Sequence, residues 1–389
     1  AAPGIRDPLW SRGLGDVYKR QFSTSKNELQ NALQKLSKAT PSRSTLPILN
    51  SVLIHVSEEE TTVKSTDLEI TVIVKLAASI ESVGSVAAPL QMLSNITNEL
   101  PDEMRVEFDV NSENKISIST EYGNYDIVGK PAEDFPNTPT LETENTIEVE
   151  AGVLKDIINK TVFAVSRDDL KPALTGVLFK FNNNTITAVA TDGHRLVKYE
   201  KNNEKTGDFG DIIVPKKFLN LMVGGLSEGT IKLSVGETHL TTNVGGDQYF
   251  TRIIDESFPD FDGVIPKDND KNLIVDKQTL LSAVKRVSIF SNKSTHQIAL
   301  NLNNENVLVS TEDPEQSTKA KENIKGDYSG DDIIVGYNAT YLKDVLSHVD
   351  DNKVVVQLKS PISAALFLPN KQKDNTNLTM LLMPIRLND

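Results

Sequence analysis

The sequence predicts an α+β protein built from three similar domains, each with antiparallel sheets and with helices on one face. A strand residue followed by helical apolar residues occurs three times, starting at Phe22, Ile147 and Leu273, roughly every 125 residues. Within each copy, helical stretches are separated by several runs of alternating strand residues, without regular β-α-β alternation, which indicates antiparallel sheets. A repeat of this length is a domain rather than a solenoid unit.

The first helix of each copy is predicted from one apolar face. Apolar or small residues fall seven, eleven and fourteen positions after the strand residue in all three copies. They are Leu29, Leu33 and Leu36; Leu154, Ile158 and Thr161; and Leu280, Val284 and Val287. Ser25 and Glu28 form a capping-box pattern that fixes where the first of these helices begins.

Further elements keep nearly the same offset, which extends the repeat over whole domains. The matches are Thr66-Asp67 with Thr191-Asp192, Pro89 with Pro215, and Phe135-Pro136 with Phe258-Pro259. A second helix is predicted in the third copy from about Ala339 to His348. We expect domains over 21–145, 146–270 and 271–389, the last ending in a functional tail. Residues 1–20 share no periodicity with the rest of the chain, lack a starting Met, and are expected to be a non-native leader.

Composition limits the classes of function. The 389-residue chain has a formal net charge of −13 and no Cys, which excludes thiol chemistry and suits a reducing cytoplasm. No apolar run approaches the roughly 18 residues of a membrane span, and no segment resembles a signal peptide, so we expect a cytoplasmic protein without a membrane partner. The negative net charge argues against a broadly basic surface. A protein that binds DNA on one face can nevertheless carry its acidic residues elsewhere. We expect the outer faces of the predicted helices to carry much of the local positive charge, for example at Lys26, Lys35 and Lys160.

The segment from Ala190 to Leu196 places a polar cluster between two alternating strands, and Gly193 permits the tight bend. Asp192 and His194 share a face and could form an acid/base or metal-ligand pair, although the five His of the chain show no metal-ligand spacing. Alternatively, Asp192 caps its own turn and Arg195 is solvated. In a third interpretation, His194 and Arg195 form the rim of a shallow apolar pocket that receives a partner's peptide.

With the repeat in place, six motifs resemble those of the bacterial β sliding clamps, the processivity subunits of DNA polymerase III. The resemblance spans Gln21 to Asp389 and rests on Arg43–Leu49, Thr66–Glu69, Pro131–Asn137, Ala190–Leu196, Phe258–Phe261 and Met383–Leu387. It implies a head-to-tail dimer whose six domains close into a ring around duplex DNA, with helices lining the hole and sheets outside. It also implies a bacterial, nucleoid-associated protein that has no catalytic residue, metal or cofactor.

In this family the C-terminal tail lies beside the bend of the middle domain, and together they form a pocket for clamp-binding peptides. The matching positions here are Leu174, Thr191, Gly193, His194, Arg195, Leu196, Pro259, Val264, Leu381, Met383, Pro384, Ile385 and Arg386. Met383 suits a site that accepts several partners, because its thioether side chain repacks easily. Gly263 stands where some members carry an Arg, so we expect a less polar rim there. The implied partners are the alpha subunit of DNA polymerase III, the clamp loader and other proteins with a clamp-binding motif.

The resemblance also suggests residues for DNA contact and for ring closure. The DNA set is Arg43, Arg167 and Lys171, with Lys216 and Lys217 as additional contacts to phosphates of double-stranded DNA without base readout. At the dimer interface, Ile289 and Phe290 would pack near the partner subunit's Tyr125. The alternative for this aliphatic-aromatic pair is burial in the core of its own domain.

Two rival functions remain open on the residues alone. An enzyme such as a nuclease could use Asp192 and His194, although the sequence offers no Walker A pattern, metal-binding acidic cluster or triad. A purely structural three-domain scaffold would not bind DNA at all. Retention on circular DNA would separate this scaffold from a clamp.

Overall fold

The structure is a computed structural model that describes residues 20–41, 44–140, 145–207, 209–304 and 306–387. The predicted leader, up to residue 19, therefore lies outside the described residues, and so does Arg43. Two compact units are present, one formed by residues up to 143 together with 239–251 and the other by 144–238 together with 252–389. We call them unit 1 and unit 2. In the described part of the chain, no helix is both long and apolar enough to cross a membrane.

The first repeat contains nine strands and two α-helices within its described residues. They are β1 (Arg20–Ser25), α1 (Lys26–Ala39), β2 (Ser51–Val56), β3 (Thr61–Thr66), β4 (Ile70–Leu76), β5 (Ala78–Ser82), β6 (Gly84–Pro89), α2 (Leu90–Glu99), β7 (Arg105–Val110), β8 (Lys115–Thr120) and β9 (Gly123–Val128). Arg20, which the sequence placed in the leader, is instead the first residue of β1 and lies opposite Val110. Its guanidinium donates to Asn114 Oδ1 at 3.1 Å.

The middle of the chain repeats this order with one strand fewer between its two helices. Its elements are β10 (Asn145–Glu150), α3 (Ala151–Thr161), β11 (Gly176–Asn182), β12 (Thr185–Thr191), β13 (Arg195–Asn202), β14 (Gly210–Pro215), α4 (Lys216–Val223), β15 (Thr230–Val235), β16 (His239–Val244) and β17 (Asp247–Arg252). The last repeat follows with β18 (Lys271–Asp276), α5 (Lys277–Val287), β19 (Gln297–Leu302), β20 (Val307–Asp313), β21 (Thr318–Ile324), β22 (Asp327–Ser329), β23 (Ile333–Asn338), α6 (Ala339–His348), β24 (Lys353–Leu358), β25 (Ala365–Pro369) and β26 (Thr376–Leu382).

Unit 1 contains two antiparallel arrays of strands. One has the order β5-β1-β7-β8-β9, and the other runs β16-β17-β4-β3-β2-β6. Alternating residues of these strands face the interior, where Phe22 stacks on Phe108 with ring centroids 4.6 Å apart. The helices α1 and α2 pack against each other, and α1 covers β4. This is the predicted α+β arrangement of antiparallel sheets with helices.

Unit 2 contains a nine-stranded sheet of order β14-β11-β12-β13-β26-β25-β24-β18-β22 and a four-stranded sheet of order β21-β20-β19-β23. The larger sheet is continuous across the middle and last repeats, because β13 pairs antiparallel with β26. In this pairing Arg195 lies opposite Leu382 and Leu196 opposite Leu381. The sheet therefore places the bend before β13 next to the end of β26.

The three repeats agree at the level of single hydrogen bonds. The first residue of each leading helix donates its backbone N–H to a carbonyl beyond the second helix: Lys26 to Met104 at 2.7 Å, Ala151 to Gly229 at 2.8 Å and Lys277 to Asn352 at 2.8 Å. All nine residues of the predicted helix faces are buried. The Ser25 hydroxyl accepts from Glu28 N at 3.2 Å, as the N-cap pattern predicts. The predicted α6 has the expected bounds.

Two of the helix lysines, Lys26 and Lys160, do not lie on outer helix faces as expected. Lys26 is buried and bonds Asp102 at 2.7 Å, and Lys35 bonds Asp247 at 2.5 Å. Lys160 is buried and pairs with Asp350. The amines of Lys26 and Lys160 therefore serve the fold, because a buried ionic group needs a partner of opposite charge to offset its desolvation. Lys35 remains exposed, as expected for an outer helix face.

Candidate functional site

The bend between β12 and β13 is closed by its own side chains. The Thr191 hydroxyl donates to the carbonyl of Arg195 at 2.7 Å and accepts from Gly193 N at 3.1 Å. Asp192 Oδ1 accepts from the backbone N–H groups of His194 and Arg195, at 2.9 and 3.0 Å. Gly193 has a φ of +88°, in the region that side-chain-bearing residues avoid. The Asp and Thr thus satisfy the polar backbone groups of a tight turn, as Asx and ST turns do.

Arg195 is only 7% exposed, so its side chain points inward. Its guanidinium bonds Asp192 Oδ2 at 3.1 Å, Asp344 Oδ2 at 2.6 Å and the carbonyl of Phe163 at 2.8 Å. It also lies over the ring of Tyr341, 4.6 Å from the centroid. The expectation of a solvated Arg is therefore wrong, whereas contact of Arg195 with a peptide stays a prediction. Arg195 instead fastens the bend to α6, which carries Tyr341 and Asp344.

The acid/base or metal-ligand interpretation of Asp192 and His194 is not supported by this geometry. Both carboxylate oxygens of Asp192 are already engaged by the turn and by Arg195. The His194 side chain is exposed, and its ring lies 5.9 Å from that of Tyr341. Among the described residues, no group of three or more His, Asp or Glu side chains could hold a metal ion.

The C-terminal tail contacts the bend directly. After β26, the backbone N–H of Met383 donates to the carbonyl of His194 at 2.8 Å. Two residues later, Ile385 N donates to Gly336 O at 2.9 Å, which ties the tail to β23. A Cβ on Gly336 would lie 2.6 Å from Ile385 O, so only glycine lets the tail approach this closely. The structure thus brings together the two segments that the resemblance expected to meet.

Beneath the bend and tail lies an apolar cluster. Its buried members are Leu178, Val189, Leu196, Ile213, Phe261, Leu366 and Leu381, and Ala173, Phe258 and Ile265 pack against it. The segments that carry Leu174, Pro259 and Val264 therefore border the same cluster as the bend. Leu196 and Leu381 are buried core residues, so they belong to the floor beneath the bend.

The expected pocket residues fall into three groups by exposure. Gly193, His194, Pro259, Val264, Met383 and Arg386 are exposed; Leu174, Pro384 and Ile385 are half-buried; and Thr191, Arg195, Leu196 and Leu381 are buried. Val264 is 57% exposed and Met383 is 41% exposed, unusual values for apolar side chains next to a core cluster. Exposed apolar side chains around an apolar floor are the usual form of a peptide-binding surface.

Three residues that support the bend were missed from the sequence, namely Phe163, Tyr341 and Asp344. Tyr341 and Asp344 are three residues apart on α6 and so share a helix face. The sequence shows that Tyr341 and Asp344 share a helix face. It does not show that this face meets Arg195, because Asp344 lies 149 residues further along the chain.

The described basic residues suggested for DNA contact lie near the start of α4. The loop containing Arg167 and Lys171 joins this helix through Lys216 N, which donates to Thr175 O at 3.3 Å. Arg167, Lys171 and Lys217 are exposed and Lys216 is half-buried. Burial lowers the pKa of Lys216, and the nearby positive charges of Arg167 and Arg195 lower it further. Arg167 therefore lies close enough to Lys216 for their charges to interact, although Asp192 and Asp344 oppose this effect.

The residues suggested for the dimer interface are accessible to a partner chain in each unit. Ile289 is 77% exposed and Phe290 43%, so the alternative of burial in their own core is wrong. Tyr125 is half-buried on β9, which forms an edge of its sheet in unit 1. Exposed large apolar residues and a strand at a sheet edge are both features that a partner chain covers in soluble proteins.

Comparison with known proteins identifies the family. Models of the N-terminal, central and C-terminal domains of the DNA polymerase III beta subunit match residues 20–139, 148–260 and 262–386. A "Beta sliding clamp" from Pseudomonas putida is 30% identical over 371 residues, which cover 94% of this chain and 100% of the relative.

Solved structures agree with this assignment. The DNA polymerase III subunit beta sliding clamp from Bartonella birtlesii, bound to griselimycin, has a TM-score of 0.90 at 26% identity. The Pseudomonas aeruginosa sliding clamp, also bound to griselimycin, has a TM-score of 0.87 at 28% identity. Both matches cover 95% of this chain and 100% of the solved one. The chain belongs to the DNA polymerase III beta subunit family, the bacterial β sliding clamps.

Proposed function

We propose that this chain is a DNA sliding clamp that closes as a head-to-tail homodimer around duplex DNA in the bacterial cytoplasm, associated with the nucleoid. The observation that carries the proposal is the match of three successive clamp domains along one chain. In the proposal these domains span 21–145, 146–270 and 271–389. The family is a non-catalytic processivity factor, so the ring acts by tethering the polymerase to DNA rather than by chemistry.

Ring closure uses the exposed apolar pair Ile289 and Phe290 of one protomer against the partner subunit's Tyr125. Light scattering at micromolar concentration tests this, because the expected mass is twice the 42.8 kDa of the chain. Ile289→Asp should shift the protein to monomer, since burying an unpaired carboxylate is costly. Ile362→Asp is the matched control, because Ile362 is 67% exposed in the same unit. A monomeric parent, or a dimer that survives Ile289→Asp, would contradict the proposed closure.

Contact with DNA is sequence-independent and uses the phosphates. The proposed contacts are Arg43, Arg167, Lys171, Lys216 and Lys217. Each cation that neutralises a phosphate releases condensed counterions, so its removal should flatten the salt dependence of DNA affinity by about one unit of slope. Arg43→Ala tests the one contact outside the described residues, and an unaltered slope would remove it from the set.

The bend and the tail form the site at which partner proteins bind through short apolar peptides. The partners proposed are the alpha subunit of DNA polymerase III, the clamp loader, and other proteins carrying a clamp-binding motif. The hydrogen bond from Met383 to His194 and the exposed apolar side chains around it support this proposal. Apolar anchors such as the Leu and Phe of a Gln-Leu-x-Leu-Phe peptide would lie on the cluster under the bend.

Replacing Met383 tests the site with a matched control. Met383→Ala should weaken binding of a Gln-Leu-x-Leu-Phe peptide by about 2 kcal/mol, or roughly thirtyfold in Kd. Met92→Ala, at a Met that is 54% exposed on α2 of unit 1, should leave Kd unchanged. Isothermal titration calorimetry measures both. Equal affinity of the Met383 variant and the parent would exclude the tail from the site.

A further inference from the structure

Besides the proposed peptide site, unit 2 contains a groove of about 620 Å³ that is lined in part by Pro259. Its walls come from β11, β14, the turn after β15 and the segment 253–262. Pro259 lines this groove and is also one of the residues proposed for the peptide site. The two surfaces are therefore adjacent.

The groove and the peptide site also share a floor. Leu178, Ile213 and Phe261 line the groove and belong to the same buried cluster as Leu196 and Leu381 under the bend. Ile254 and Phe258 pack against this cluster and are only half-buried. A chain lying on the peptide site could continue past Pro259 without leaving apolar contact.

The rim of the groove is strongly acidic. Among the described residues, six carboxylates and a single cation, Lys180, line it; the acids are Asp211, Glu237, Asp255, Glu256, Asp260 and Asp262. Lys180 pairs with Asp211 at 3.1 Å, and Lys198 from β13 pairs with Asp262 at 3.1 Å. The remaining four acids leave an excess of negative charge around the aromatic and aliphatic floor.

We propose that this groove binds a lysine- or arginine-rich segment that flanks the clamp-binding motif of a partner protein. The inference rests on the proposed peptide-binding function and names a further chemical requirement of the partner. Lys and Arg fit both features of the groove, because their alkyl stems can lie on Ile254 and Phe258 while their charged ends reach Asp255 and Glu256. Complementary charge at the rim selects partners and speeds their encounter.

The test compares three fluorescent peptides on the full chain. One is the bare Gln-Leu-x-Leu-Phe motif, and the other two carry either four Lys or four Ser at both ends. At low salt we expect the Lys-extended peptide to bind about fivefold tighter than the Ser-extended one, and the preference to shrink as salt is added. Asp255→Lys/Glu256→Lys should abolish the preference and leave the bare motif's Kd unchanged.

Glu58→Lys/Glu59→Lys is the matched control, since it makes the same change in net charge at an adjacent acidic pair in unit 1. This control should keep the preference for Lys. An equal loss in both variants would show a general charge effect and overturn the groove assignment, as would a preference that persists in Asp255→Lys/Glu256→Lys. Failure of the bare motif to bind the parent would instead overturn the proposed peptide function itself.

Discussion

Two bends in the molecule share the same turn hydrogen bonds and a Thr-Asp pair but differ in the three residues that follow. In unit 1, the Thr66 hydroxyl contacts Ile70 O at 2.9 Å, and Asp67 Oδ1 accepts from Glu69 N and Ile70 N at 3.1 and 2.7 Å. In unit 2, Thr191 and Asp192 make the equivalent bonds one repeat later. The third residue of each bend has positive φ, +78° at Leu68 and +88° at Gly193.

The difference lies at the last position of the bend. Ile70 is buried and apolar, whereas Arg195 is buried and charged and binds two carboxylates. The Thr-Asp pair is therefore the shared device that closes the turn. Arg195 adds a connection from the turn to α6, and it is this second bend that carries the hydrogen bond to the tail. The two bends thus share their backbone hydrogen bonds, and the Arg at the last position gives the second bend an additional attachment.

Replacing the last residue of each bend by Met should give the largest contrast. Arg195→Met leaves Asp192 and Asp344 without their cation, and breaking a buried pair of this kind costs about 3 kcal/mol. Ile70→Met is a nearly volume-conserving apolar change and should cost about 1 kcal/mol or less. Urea unfolding followed by circular dichroism measures both losses. Equal losses would mean that Arg195 contributes no more than packing.

Replacing the third residue of each bend by Ala should give a smaller contrast. A Cβ on Gly193 would meet nothing within 4 Å, so Gly193→Ala costs only the backbone strain of positive φ, about 1 kcal/mol. Leu68 already bears a Cβ at positive φ, so Leu68→Ala adds no such strain and loses part of a side chain that is 50% exposed. We therefore expect Leu68→Ala to lower the free energy of unfolding by about half as much as Gly193→Ala does. The prediction fails if the melting temperature is unchanged in Gly193→Ala.

The smallest expected effect is a pH dependence confined to unit 2. His348 ends α6, stacks on Phe163 with centroids 3.8 Å apart, and contacts Asp344 O through Nδ1. Burial lowers the pKa of His348 below the ordinary 6.5. The hydrogen bond with the carbonyl of Asp344 raises the pKa, but this effect is smaller than that of burial. Because the folded state disfavours the protonated ring, its contribution to stability is complete above pH 6.5 and is lost as the pH falls through the lowered pKa.

Hydrogen exchange between pH 8 and pH 5 can assign this effect to its unit. At the position of α2 equivalent to His348, unit 1 has the exposed Glu99. We expect His348→Asn to reduce the acid-induced loss of protection in α3 and α6 and to leave α1 and α2 unaffected. The same acid sensitivity in the variant and the parent would exclude His348 as its source.

Local sequence patterns were sufficient to predict the helices and the threefold repeat. Leu29, Leu154 and Leu280 are buried as their spacing predicts, because one helix face must cover a sheet. Ion pairs between residues far apart in the chain could not be predicted from such patterns. Lys26 and Arg195 look like exposed charges until Asp102 and Asp344 are brought to them by the fold. The contact of the tail with the bend was expected from family resemblance, and no property of Met383 or His194 alone predicts it.

Retention on DNA tests the central claim most directly. The protein is incubated with a clamp loader, ATP and a nicked circular duplex, and DNA-bound protein is separated by gel filtration at high salt. A sliding ring should remain on the closed circle, because enclosure does not depend on ionic contacts, and should be lost once a single cut makes the DNA linear. Loss from the closed circle, or retention on the cut DNA equal to that on the circle, would contradict the account.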